Sequence, residues 1–267
     1  MAKPTITLRM AEVGKKTGQW LANLIREQGV EVVFGEKSDA LVCYGWGMPE
    51  YKGPVLNAKA GSFNNLKQME MLIGAGIQTV PLVKDIKKAD WSKIKFPLLA
   101  RGAAHGDGGG RDIMPVFQEE EIPWRQAAGA TYFTQYIPRK TEYRLWVYRR
   151  RVQACYIKEM TNPEKYVKIG CNYEDGFEHE YISTDKVSKT LIDLAAKSVF
   201  ALGLDFGGVD ILIGKDNGAY VLEVNTAAGA NGPKAVGLSK LASSIVKWVK
   251  LGYPKQSGKF TGLENAE

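Results

Sequence analysis

Asp210, Glu223 and Asn225 are the residues whose types and spacing could do chemistry. They sit in two short runs, Gly207-Gly208-Val209-Asp210-Ile211-Leu212-Ile213 and Tyr220-Val221-Leu222-Glu223-Val224-Asn225, where apolar residues flank each acid at period two. Glu223 and Asn225 are two apart, so they share one face of a strand. Asp210 can lean toward that face from the neighbouring strand. Two carboxylates and an amide oxygen suit a hard cation whose remaining ligands are water and phosphate oxygens. That is the outline of a magnesium–nucleotide site, with Mn²⁺ as a possible substitute.

The elements around these residues must hold them in register. Gly214-Lys215-Asp216-Asn217-Gly218 supplies the turn chemistry of a β-hairpin between the two runs. The segment from Lys186 to Leu202 carries Val187, Leu191, Leu194, Ala195 and Leu202 on one helical stripe and stops at Gly203, delivering the chain into the hairpin. A loop of small residues, 226 to 233, follows the hairpin, and then a helix from Lys234 to Val249. Upstream, residues 5 to 9, 30 to 34 and 39 to 47 read as strands, with a helix up to Gly29 between the first two, the pattern of a small α/β domain. A helix from Asn64 to Ile73 ends at Gly74-Ala75-Gly76. Strands are expected at 96 to 101, 131 to 138, 142 to 148 and 151 to 157, whereas 159 to 182 reads as a polar, irregular loop that is either mobile or substrate-facing.

Composition limits the chemistry. With 267 residues, 45% of them hydrophobic and 24% charged, the chain can bury a core and is not a disordered segment. Only two histidines are present, so a histidine-based metal cluster is out of reach. Cys43, Cys155 and Cys171 lack the spacing of a zinc site, and Cys43 and Cys155 read as small core residues. No apolar run reaches the roughly 18 residues of a membrane span, and the expectation is a cytoplasmic protein. A formal charge of +7 favours anionic partners: nucleotide, acidic substrate or nucleic acid. The run Arg149-Arg150-Arg151 reads as a solvated face.

Taken in this order, the pieces resemble an ATP-grasp enzyme, and within that superfamily the RimK-type carboxylate–amine ligases. The segment Ala201 to Leu212, followed by Val221-Leu222-Glu223-Val224-Asn225, carries the resemblance, supported by Gly74 to Pro81. It implies an α/β fold with a small N-terminal domain over residues 1–62, an ATP-grasp subdomain with a glycine-rich lid over 63–137, and a C-terminal subdomain with the Mg²⁺ site over 138–267. It also implies ATP as cosubstrate, with Asp210, Glu223 and Asn225 as metal ligands.

Further site residues follow by resemblance. Arg101 stands where the family has a phosphate-binding lysine, a departure that exchanges a point charge for a planar fork. Lys67 is the candidate second basic contact, although Asn64 and Asn65 occupy the usual places. Gly106, Gly108, Gly109 and Gly110 resemble the lid over the triphosphate. Gln135, Tyr136 and Ile137 resemble the hinge that reads adenine, Glu142 the ribose-side acid, and Arg144 a phosphate or acyl-phosphate contact. Tyr44 to Gly47 would shape the acceptor site, and Lys158, Lys165 and Lys168 would recognise an acidic substrate. The expected partners are a small carboxylate and an amine, with a macromolecular acceptor, protein or nucleic acid, allowed by the basic charge. The competing expectation is a nucleotide-binding or nucleic-acid-associated protein with altered chemistry. Oligomeric state is not legible.

Overall fold

The computed structural model describes residues 3–35, 38–48, 50–102, 113–162, 176–230 and 235–255. Three sheets organise them. The first is parallel, in the order β2 (Glu31–Val33), β1 (Thr5–Met10), β3 (Ala40–Tyr44), β4 (Val55–Leu56). All five residues of β3 are buried, as suits a central parallel strand covered on both faces. Helix α1 (Lys15–Glu27) covers one face through Leu21, Ala22 and Ile25.

The second sheet is antiparallel, in the order β5 (Leu82–Val83), β8 (Ala130–Gln135), β6 (Leu98–Gly102), β7 (Met114–Val116). Helix α2 (Asn65–Gly74) precedes it and the short α3 (Ile122–Ala127) lies within it. Asn64 caps α2 by accepting from the Lys67 amide at 2.9 Å. At its other end Gly76 is left-handed (φ 72°) and the Ile77 amide returns to the Leu72 carbonyl at 3.0 Å, closing the helix as the Gly-Ala-Gly run predicts.

The third sheet is also antiparallel, in the order β11 (Phe177–Ile182), β10 (Arg151–Met160), β9 (Arg139–Tyr148), β12 (Phe206–Gly214), β13 (Ala219–Asn225). Its buried face packs on α4 (Lys189–Ala201) through Leu145, Val147, Val209, Ile211, Leu191, Ala195 and Val199. β11 corrects the expectation of an irregular loop at its C-terminal end. It pairs on one side only and just one of its six residues is buried, so its sequence lacks the apolar alternation of a half-buried strand.

The hydrophobic cores cross the sequence. Helix α5 (Val236–Lys250) joins α1, β1 and β3 in one cluster through Leu238, Leu241, Ile245 and Val249, with Trp146 and Phe206 at its base. A buried polar knot fastens the same junction. Asn57, fully buried, accepts from the amides of Asp205 and Phe206 at 2.7 and 2.9 Å and donates to the Phe206 carbonyl at 2.9 Å. The Asp205 carboxylate accepts from the Asn57 amide at 2.8 Å and from Arg149 at 3.4 Å.

Arg149 and Arg150 correct the reading of a solvated basic face. They form the β9–β10 turn with φ of 42° and 70°, and both side chains turn inward. Arg149 donates to the Pro254 carbonyl at 2.6 Å, while Arg150 lies 4.8 Å from the centre of the Phe200 ring. Burial pushes both the Cys43 and Cys155 thiols up to about 12, consistent with inert core residues. Among the described residues no helix is long and apolar enough to cross a membrane.

Candidate active site

The β12–β13 hairpin brings the three oxygen-bearing residues together. Asp210 pairs with Glu223 and Gly208 with Asn225 in the ladder, so the three side chains belong to one patch of one face. A register shift follows Asp210, where Leu222 is the extra residue. The Asn225 amide donates to Glu223 at 2.8 Å, linking two of the trio directly.

Two outside groups hold the free edge of β13. Gln68 of α2 uses its side-chain amide as a peptide would, accepting from the Val224 amide at 2.6 Å and donating to the Val224 carbonyl at 3.1 Å. The Val221 amide donates to the Gln78 carbonyl at 2.9 Å. The backbone between Glu223 and Asn225 is therefore pinned by α2, which fixes where both side chains start. Spacing in the sequence gives no hint of this role for Gln68.

Behind the trio runs a buried ionic network across β12, β9 and β10. Asp210, 3% exposed, receives a bidentate contact from Arg144, with Nε and Nη2 each 2.7 Å from a carboxylate oxygen. Lys158 Nζ donates to the same carboxylate at 3.2 Å and also to Glu142. Arg144 pairs with Asp210 in the ladder, which explains the fork geometry. Glu142, expected on the ribose side, is buried and occupied by Lys158.

The network's charges set the electrostatics. Burial works against an ionised Asp210, but the Arg144 and Lys158 charges prevail and hold its carboxyl well below the ordinary range. Burial likewise opposes the charged forms of Arg144 and Lys158, and the carboxylates around them, Asp210 foremost, keep both protonated. Glu223 goes the other way. Burial, then the Asp210 charge, pushes its carboxyl above the ordinary value, and among the described residues it has no salt-bridge partner.

This imbalance is the test of whether a divalent cation fits. Arg144, Lys158, Asp210 and Glu142 balance two against two; Glu223 is one negative charge in excess beside Asp210. A cation bridging Glu223, Asn225 and Asp210 would relieve that charge, so the donor set fits Mg²⁺. Among the described residues no group of three or more His, Cys, Asp or Glu could hold a metal, so a third protein ligand would have to be the Asn225 amide oxygen.

The remaining predicted residues are distributed as follows. Arg101, at the end of β6, is half-buried and donates to the Thr134 hydroxyl at 3.0 Å. Its ladder partner Tyr132 packs with Leu212, Tyr220 and Leu222, which puts the β6 end near the hairpin. Lys67 is not drawn into the site: its exposed ammonium lies 3.8 Å from Glu70, and Gln68 beside it meets β13 instead. In the hinge, the amides of Gln135 and Tyr136 are engaged by the carbonyls of Pro81 and Pro97, both at 2.9 Å, and the Gln135 side chain accepts from the Lys95 amide at 3.0 Å. Adenine recognition there would fall to carbonyl groups and to the Ile137 amide. Gly106, Gly108, Gly109, Gly110, Lys165 and Lys168 lie outside the described residues.

On the N-terminal side, the Tyr44 hydroxyl donates to the Ala228 carbonyl at 2.5 Å, tying the end of β3 to the loop after Asn225. Gly45 is left-handed (φ 87°), and a Cβ there would come within 2.8 Å of both Ala11 and Ala227. Trp46, 57% exposed, follows directly.

No protein-family model matches the sequence, and a search of curated proteins finds no match. Solved structures do match in fold. The ATP-grasp ligase PsnB complexed with a minimal precursor superposes with a TM-score of 0.68 at 13% identity, covering 92% of this chain and 99% of that one. D-alanine–D-alanine ligase from Bacillus anthracis complexed with ATP gives 0.67 at 15% identity, over 94% and 98% of the two chains. N5-carboxyaminoimidazole synthetase from Staphylococcus aureus complexed with ADP gives 0.65 at 14% identity, over 91% and 77%. The chain has the ATP-grasp fold.

Proposed function

We propose that the protein is an ATP-dependent carboxylate–amine ligase of the RimK type that forms an amide through an acyl phosphate. The observation that carries this reading is the Asp210–Glu223–Asn225 patch with its uncompensated negative charge, set in an ATP-grasp fold. A carboxylate oxygen of the donor attacks the γ-phosphorus of ATP and ADP leaves. The amine then attacks the acyl carbon and phosphate leaves. Asp210, Glu223 and Asn225 would hold Mg²⁺, which neutralises neighbouring phosphate charge during transfer. Arg144 and Arg101 supply fixed donors for phosphate oxygens and for the oxyanion of the tetrahedral intermediate.

The proposed division of labour is an N-terminal domain over 1–62 that shapes the acceptor site around Tyr44 to Gly47, and two subdomains, 63–137 and 138–267, that enclose ATP. The acceptor is an amine on a small molecule or a polypeptide; a polypeptide is supported by the PsnB structures solved with precursor peptides. The nucleic-acid reading rests on the basic charge and on arginine in place of lysine at Arg101, and Arg149 and Arg150, engaged inside the molecule, withdraw only their share of that charge. The test is to incubate the protein with ATP, Mg²⁺ and pools of amino acids or peptides, and to measure phosphate release and new masses. Amide products that vanish in Glu223→Ala support the ligase. Failure of the wild-type protein to bind ATP overturns it.

A further inference from the structure

We infer that Lys158 is a positioning residue that competes with the divalent cation for Asp210 and so makes metal loading depend on nucleotide. The inference rests on the proposed Mg²⁺–ATP site and concerns a residue outside its ligand set.

A carboxylate offers about four lone-pair positions to donors. Three of those on Asp210 are taken: one on Oδ1 by Arg144 Nε at 2.7 Å, and two on Oδ2 by Arg144 Nη2 at 2.7 Å and Lys158 Nζ at 3.2 Å. One position on Oδ1 remains for a cation. A cation that reaches Oδ2 as well, by bidentate or bridging contact, has to take the place of Lys158 or Arg144. Lys158 is the one that yields. Its contact is single and the longer, whereas Arg144 is held as a fork in register. Lys158 also has a second carboxylate, Glu142, to retain its charge in a site where its side chain is 4% exposed.

Two consequences follow. A bare cation can take both carboxylate oxygens only by displacing the buried Lys158 ammonium from Oδ2, and held by Oδ1 alone it binds weakly. A cation that arrives with nucleotide phosphates brings acceptors for the released ammonium, so Lys158 passes from opposing the metal to gripping the phosphates. A lysine that only neutralised the core would behave differently: its loss would loosen the hairpin and weaken metal and nucleotide binding together.

The experiment measures Mn²⁺ alone by the electron paramagnetic resonance of the free ion, and ATP·Mg²⁺ by calorimetry, for the wild type, Lys158→Met and Lys158→Met/Glu142→Gln. The double variant removes one charge of each sign and guards against failure of the single variant to fold. Lys140→Met, an exposed lysine on β9 bonded to Asn217, controls for the change in net charge. The expected result is Mn²⁺ binding tighter by about tenfold in both Lys158 variants, corresponding to one charge-assisted hydrogen bond no longer displaced. ATP·Mg²⁺ binding weakens in the same proteins, and Lys140→Met changes neither by more than about twofold. Unchanged or weaker Mn²⁺ binding in the folded Lys158 variants overturns the inference, as does an equal gain in Lys140→Met. Absence of ATP binding to the wild type overturns the ligase reading instead, and the Mn²⁺ measurement still decides the competition for Asp210.

Discussion

Asp210 and Glu223 face each other across the β12–β13 ladder, and the fold drives their carboxyls in opposite directions. Asp210 is held low against burial by Arg144 and Lys158; Glu223 is raised by burial and by the charge of Asp210. One acid already has its cations in Arg144 and Lys158, and the other has none among the described residues.

Stability in EDTA should therefore change sign between the two. A raised carboxyl costs stability at neutral pH, and that cost is relieved as pH falls through its folded value toward the ordinary 4.5. A depressed carboxyl contributes stability above its ordinary 3.8 that is lost on further acidification. Glu223→Gln, which keeps an oxygen for Asn225, should melt higher than the wild type near pH 7 in EDTA and converge with it as pH falls. A lower melting temperature at pH 7 would contradict the assignment of strain to Glu223.

Protons and metal should compete at that same carboxyl. Affinity for ATP·Mg²⁺ is expected to fall as pH drops through the raised value of Glu223, before ordinary carboxylates titrate. Calorimetry from pH 8 to pH 4.5 reads this directly, and an affinity flat over that range would remove Glu223 from the ligand set.

Gln68→Leu preserves volume but strands the buried amide and carbonyl of Val224. The expected loss is about 1–3 kcal/mol in urea unfolding, accompanied by weaker nucleotide binding because Glu223 and Asn225 flank that peptide. Normal binding in a destabilised variant would show that α2 steadies the fold without aligning the ligands.

At the junction of the N-terminal sheet with β12, Asn57 combines a left-handed backbone (φ 58°) with three side-chain hydrogen bonds. Asn57→Gly keeps the backbone easy and loses the bonds, costing about 2–4 kcal/mol. Asn57→Ala adds backbone strain and should cost about 1 kcal/mol more. Equal melting temperatures for the two variants would locate the whole effect in the hydrogen bonds.

Arg101 tests whether a fork can serve where a point charge is expected. Arg101→Ala should weaken ATP binding by about 10- to 100-fold, the value of one charge-assisted contact. Arg101→Lys keeps the charge but gives up the bond to Thr134, and should lose less. ATP affinity unaltered in Arg101→Ala would leave Arg101 with its Thr134 contact alone.

The hairpin was legible in the sequence because period-two alternation and a glycine-bounded turn fix strand register locally. The C-terminal stop of α2 was equally local, written in the Gly74-Ala75-Gly76 run. The rest of the site depends on distant pairing. Lys158 reaches Asp210 from 52 residues away and Arg144 from 66, through the order of β10, β9 and β12, which no local pattern encodes. Gln68 has the pattern of any polar helix residue, and the charge that suggests a phosphate contact sits beside it on Lys67. Arg149 and Arg150 looked solvated because charge runs usually are; a turn with two positive φ angles and partners on Asp205 and Phe200 turned them inward. β11 leaves little trace in the sequence because an edge strand needs few apolar residues.

The packing of α5 on α1 has a consequence for synthesis. The first sheet emerges from the ribosome some 200 residues before the helix that completes its core. Until then α1 and β3 expose apolar surface that later chain must cover, so this part of the molecule gains its stability after translation has passed residue 249. Nascent chains halted near residue 200 should engage holdase chaperones, and a ribosome pause in that interval lengthens their exposure.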